Sequence, residues 1–228
     1  MEVVIKKLII TNRKSICLRI DNNGDLIVIA PHSISEDEIK KIVLKKLNWI
    51  VRTRQFVLHC NKKINNLNLQ EGDTLLYLGE NYSIALHNKN EISIDSEKKI
   101  FYLPIGDKAT LKRKLIQFYL NKAYEILKVE LDHWSDVMNL RYNGFRLKNA
   151  KRLWGSCGKN GVLNLNWRLV LLPREIIAHI VIHELAHLVY KNHSKQFKYF
   201  VAKYSPNYLD KEKWLNENAY ILRLFRED

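Results

Sequence analysis

Over the first hundred residues, apolar positions alternate with polar ones or form short runs, and beyond them the spacing turns helical. Residues 3–10, 15–20 and 26–30 predict three strands, with Asn22-Asn23-Gly24-Asp25 as the turn between the last two. Ser35 opens an amphipathic helix over about residues 35–56. Glu38 completes a capping box there, and Ile39, Ile42, Val43, Leu47 and Ile50 form the apolar stripe. Further strands are expected at 74–78, 82–86 and 91–94, with Gly79-Glu80-Asn81 turning between the first two. Residues 95–108, which contain Pro104 and Gly106, read as the link between a β-rich lobe, 1–105, and a second lobe, 106–228.

In the second lobe, Leu111, Leu115, Phe118, Tyr119, Lys122, Ala123 and Ile126 suit one long helix leading toward Trp134. Residues 145–147 and 163–170 read as strands, separated by Trp154-Gly155-Ser156-Cys157-Gly158-Lys159-Asn160-Gly161. Pro173 fits the first turn of a helix over about 174–191, where its missing N–H is not needed. Ile176, Ile177, Ile180, Val181, Ile182, Leu185, Leu188 and Val189 make that helix apolar on most sides, the mark of a buried helix. Its polar exceptions are therefore its informative positions. Pro206 ends the next helix, and Asp210 caps a last one through Trp214 and Leu222. The chain has no internal repeat and no low-complexity segment.

Those exceptions include His183-Glu184-Leu185-Ala186-His187. Histidines four apart share a helix face with Cβ atoms about 5–6 Å apart, so both rings reach one ion at about 2.0–2.1 Å. Glu184 is rotated off that line and can hold a metal-bound water without replacing it. His193 completes a third-histidine spacing. In a continuous helix it would lie about 9 Å along the axis from His187, so the chain must turn back between them. Asn192 suits a left-handed helix terminator, and Ser194 suits the cap of a helix starting near Lys195. The spacing matches the metzincins, yet Tyr190 stands where they have glycine, so this turn differs from theirs. One Zn2+ is expected, although imidazole suits other divalent ions.

The 228 residues carry 38 Lys and Arg against 24 Asp and Glu, a net charge of +14. That charge fits a polyanionic partner such as nucleic acid, and equally a solvated lysine-rich surface, because no block of like charge stands out. The charge alone decides nothing. No apolar run approaches the roughly 20 residues that span a bilayer. The start shows no signal-peptide pattern. Cys17, Cys60 and Cys157 lie far apart and outside any CxxC pair, so free thiols in the cytoplasm are expected. A monomer is expected, with no membrane partner.

Trp154-Gly155-Ser156-Cys157, Leu165-Asn166-Trp167-Arg168-Leu169 and Leu172-Pro173 precede the His183–His187 motif. Asn192-His193-Ser194, Phe197, Pro206 and Trp214-Leu215 follow it. This order resembles the YgjP-like zinc metallopeptidases, relatives of the SprT and WLM proteases. Arg13-Lys14-Ser15-Ile16, Pro31 and Trp49-Ile50 carry the resemblance over nearly the whole chain. It implies an α+β fold: a zincin-like catalytic domain with an H-E-x-x-H helix behind a β-rich N-terminal lobe containing one helix. It also implies zinc on His183, His187 and His193, with Glu184 as general base. Two departures bear on substrate contacts only. His179 stands where the family more often has tyrosine, and Leu153 separates Arg152 from Trp154.

A metalloprotease of this kind attacks a peptide carbonyl with a zinc-activated water while Glu184 moves the proton to the leaving amine. Tyr190, Tyr204 and His179 are candidates for a second oxyanion donor, and Asn166 for a substrate contact. By analogy with zincins, the strand through 164–169 runs beside the site and pairs with an extended protein or peptide substrate. Taken alone, His179 reads as packing or as a contact behind a ligand. Cys157 reads as a packed thiol or one that reaches the metal. Trp154 and Trp167 read as core. Two other functions stay open: a zinc hydrolase of a non-peptide amide or ester, and a nucleic-acid-binding module with structural zinc. Structural zinc sites are usually closed by four protein ligands, so three histidines with a free glutamate favour catalysis.

Overall fold

The alternating N-terminal runs fold into one mixed sheet: Ile5–Thr11 (β1), Cys17–Ile20 (β2) and Leu26–Pro31 (β3). This computed structural model describes residues 4–21, 23–65 and 68–225, without the side chains of 56 and 59–65. The expected turn residue Asn22, strand residue Val3 and the Cys60 thiol thus lie outside the described residues. β3 is the middle strand, parallel to β1 and antiparallel to β2, and it contributes Leu26, Val28 and Ala30 to the core. Ser35 caps Glu36–Lys45 (α1) with the expected box: Glu38 N donates to Ser35 Oγ, and Ser35 N donates to Glu38 Oε2. The one helix expected over 35–56 is two. Lys46 leaves helical geometry at φ −104° and ψ 11°, and Leu47–Asn65 (α2) begins after it.

The residues divide into two compact units, Met1–Asn66 and Leu67–Asp228, so the boundary falls well before the position near 105 that Pro104 and Gly106 suggested. Aromatic packing and backbone hydrogen bonds explain the difference. Thr74–Tyr77 (β4), Glu80–His87 (β5), Ser93–Asp95 (β6) and Ile100–Pro104 (β7) form a sheet in the order β4-β5-β7-β6. Residues expected as linker therefore supply β7, a middle strand. Lys108–Val137 (α3), capped by Asp107, packs on this sheet: the Tyr119 ring lies 5.9 Å from Phe101, and its hydroxyl donates to Leu76 O at 2.9 Å. The β4–β5 turn is Leu78-Gly79, both with positive φ. Its amides donate to Val170 O and Leu171 O at 2.9 and 3.0 Å. A Cβ on Gly79 would lie 2.6 Å from Pro173 Cγ, so only glycine fits against the start of the next helix.

A second sheet, in the order β8-β10-β9, consists of Phe145–Lys148 (β8), Gly155–Cys157 (β9) and Leu163–Asn166 (β10). The strand expected over 163–170 stops at Asn166, whose side chain accepts from Arg168 N and caps a 3₁₀ turn, Trp167–Leu171. Arg168 is fully buried, donating to Leu224 O at 2.7 Å and Asn149 Oδ1 at 2.6 Å while lying over the Trp167 ring. Trp167 is core, as its pattern suggested. Arg174–Ala186 (α4), Lys195–Tyr204 (α5) and Tyr208–Glu217 (α6) follow. Asp210 does not cap α6: Asn207, left-handed at φ 57°, opens it, and Asp210 sits in the first turn. Among the described residues, no helix is long and apolar enough to cross a membrane.

Candidate active site

α4 buries nine of its thirteen residues, among them His179 and Glu184. It ends at Ala186 rather than near 191, with His187 as its C-cap. The chain then reverses without a left-handed Asn192, which is not among the described residues of positive φ. Instead Tyr190 N donates back to Ala186 O at 2.9 Å, and Lys191 Nζ covers His187 O at 2.8 Å. Ser194 caps α5 through Phe197 N at 3.3 Å, as its position suggested, and this sets His193 over the end of α4.

Each ring is held. His187 Nδ1 lies 2.9 Å from Tyr190 O, and a carbonyl only accepts, so Nδ1 carries the proton and Nε2 keeps its lone pair. Phe197 is buried among all three rings, stacked on His187 at 4.5 Å and 4.9 Å from both His183 and His193. Burial, then the neighbouring imidazoles, depress the His183 pKa to about 3, and burial lowers that of His187. Both rings are therefore neutral at pH 7 and able to donate lone pairs. The donor nitrogens of His183, His187 and His193 lie within 4.8 Å of one another, and Nε2 of His183 is 3.1 Å from Nε2 of His193. Two nitrogens each about 2.05 Å from one ion at the tetrahedral angle would be about 3.3 Å apart, so the donor set fits a cation of zinc's size.

Glu184 is only 6% exposed, and its Oε2 has no hydrogen-bond partner among the described residues. Burial pushes its pKa up to about 8. The β9 backbone presses on it: a Cβ on Gly155 would lie 2.7 Å from both Glu184 Cγ and Oε1. His183, Glu184, His187 and His193 line a cavity of about 540 Å³ together with residues 152–157.

The other candidates separate clearly. His179 lines the cavity, 1% exposed, with Nδ1 3.0 Å from Ser205 Oγ. Burial, with Lys211 nearby, lowers its pKa to about 4. Tyr190 and Tyr204 pack against Phe200 and are not among the cavity's lining residues. The Asn166 amide donates to Ala150 O and Leu153 O, holding the loop before β9. Cys157 lines the cavity, where burial raises its thiol pKa, and it belongs to neither cluster of possible metal donors. Sequence reasoning gave no site role to Gly155, Phe197, Ser205 or Glu212. A glycine beside a tryptophan was the one visible signal, since glycine marks close backbone approach.

A mixed α/β domain with histidines and a buried carboxylate around an open cavity falls in the class of metallopeptidases. The chain belongs to the YgjP-like family: that family's metallopeptidase-domain model matches residues 14–218. It is accordingly a divalent-metal-dependent peptidase acting on proteins or peptides. The crystal structure of the metallopeptidase zymogen abylysin from Pyrococcus abyssi is similar at 24% identity over 41% of this chain and 95% of that one, with a TM-score of 0.38. No curated protein matches the chain.

Proposed function

We propose that the chain is a zinc endopeptidase in which His183, His187 and His193 hold one zinc ion and Glu184 is the general base. The three clustered imidazoles, beside a buried carboxyl oxygen with no hydrogen-bond partner among the described residues, carry this reading. Zinc, when bound, supplies a coordinated water of pKa about 7 and a Lewis acid for the substrate carbonyl. Glu184 accepts the proton of the attacking water as the new C–O bond forms. It then delivers that proton to the amide nitrogen as the C–N bond breaks. Burial strengthens Glu184 as a base, and Gly155 lets its carboxyl lie against the β9 backbone. His179 is the oxyanion-donor candidate that lines the cavity. Ser205 can orient its ring so that Nε2–H faces the substrate.

An extended substrate pairs with β9 in this reading. β10, the strand expected to do so, is flanked on both sides by β8 and β9, whereas β9 has one edge unpaired among the described residues and lines the cavity. Cys17 and Cys157 are free thiols, which supports a reducing compartment such as the cytoplasm.

The test is cleavage of an unfolded protein by wild type and Glu184→Gln, both loaded with zinc and matched for zinc content. Loss of a general base lowers the rate about 10²–10⁴-fold. A variant that cuts at the wild-type rate overturns the assignment.

A further inference from the structure

The cavity contains a second donor cluster that shares one residue with the first. His179, His183 and Glu212 each bring one ligand atom into a group whose members lie within 4.8 Å of one another. The chain reversal between α5 and α6 creates it. Ser205 ends α5, Asn207 takes the left-handed conformation, and α6 carries Glu212 to the cavity wall. His179 is fixed by its Nδ1 contact with Ser205 Oγ at 3.0 Å, which leaves Nε2 as its open nitrogen. Lys211, the cation that would oppose a metal here, donates to that same Ser205 Oγ at 3.2 Å, on the Nδ1 edge of the ring. Two imidazoles and one carboxylate form a familiar zinc donor set.

We propose that His179 and Glu212 form a second, weaker divalent-cation site adjoining the resident one, with His183 as the residue the two share. The inference rests on the reading that His183, His187 and His193 hold the resident ion. While His183 serves that ion, the second site has two protein ligands and fills only when zinc exceeds one equivalent. A cation there stands in the substrate cavity, so excess zinc inhibits cleavage. When the resident site is broken at His187, His183 is released and the second cluster gains its third ligand.

Zinc binding to the full chain, measured by equilibrium dialysis, tests this in four proteins: wild type, Glu212→Gln, His187→Ala and the double variant. Circular dichroism and cooperative unfolding establish that each is folded. Wild type is expected to bind one tight and one weak equivalent, and Glu212→Gln the tight one alone. His187→Ala should keep one equivalent, which the added Glu212→Gln abolishes. Wild-type cleavage should fall as zinc rises from one equivalent to several, and Glu212→Gln should relieve that loss. Persistence of the weak equivalent in folded Glu212→Gln, or equal zinc binding by His187→Ala and the double variant, overturns the second site. Absence of a tight equivalent from wild type overturns the resident-site reading instead, while Glu212-dependent zinc in His187→Ala would still support the second cluster.

Discussion

Helices α3 and α4 pack on each other yet are built on opposite plans. α3 buries Leu111, Leu115, Tyr119, Ala123, Leu127, Leu131 and Ser135, about one residue in four along thirty, and leaves the rest half-buried or exposed. α4 is less than half as long and is buried on nearly every side. The first arrangement is an anchor, because a single stripe buries large apolar area while polar residues stay wet. The second is a dry medium. In it, the same burial that stabilises isoleucines lifts the Glu184 pKa to about 8 and drops that of His183 to about 3. Chemistry sits on the helix where polar groups are exceptions, and the longer helix contributes stability.

The largest effect that separates the two helices is pH-dependent. In metal-free protein, Glu184 holds its proton in the folded state up to about pH 8 but releases it near 4.5 when unfolded. Its contribution to stability is therefore complete below pH 4.5 and is lost as pH rises to about 8, on the order of 5 kcal/mol in all. The buried histidines act oppositely: their lowered pKa values destabilise the fold as pH falls below 6.5. Melting of chelator-treated wild type and Glu184→Gln isolates the carboxyl. The variant's advantage in Tm should widen between pH 4.5 and 8 and then level off. An advantage that does not vary with pH would show that Glu184 does not titrate in a dry site.

Leu127→Ala is the matching test on α3. Leu127 is fully buried, and its truncation should lower unfolding free energy by about 3 kcal/mol in a denaturant titration. Zinc content and activity per folded molecule should stay at wild-type values. If activity per folded molecule falls with stability, the division between anchor and site fails.

Gly155→Ala probes where the second plan meets the sheet. The added methyl collides with Glu184 Cγ and Oε1, so the carboxyl must move off its place against β9. Overpacking of this kind lowers stability by about 1–3 kcal/mol, with cleavage falling further than stability explains. Activity that tracks the folded fraction alone would mean Glu184 tolerates the shift.

The contrast also explains what could be read from the sequence. The long helix α3 and the capping box at Ser35 are local patterns and stand as expected, although the buried stripe of α3 runs through Leu127 and Leu131 rather than Ile126. The His183–Glu184–His187 spacing is equally local, and the structure gathers it with His193. What failed was set by distant partners. β7 looked like linker because its parallel pairing to β5 lies outside any short window. The Asn166 amide's partners, the Ala150 and Leu153 carbonyls, are likewise invisible in the sequence. Phe197 reaches the site after one chain reversal and Glu212 after two, which no periodicity encodes.

Ser194→Ala makes the smallest break, and it falls at the joint between the third histidine and α5. The hydroxyl accepts from Phe197 N and fixes both the first turn of α5 and the ring that touches all three histidines. Loss of an N-cap hydroxyl lowers stability by about 1 kcal/mol. If the cap serves only the helix, the melting temperature moves and zinc affinity does not. If it holds His193 in place through Phe197, zinc affinity measured by chelator competition should fall as well. Ser194→Asp, which restores an acceptor at the cap, should then recover both. Recovery of stability without recovery of affinity would assign the cap to α5 alone.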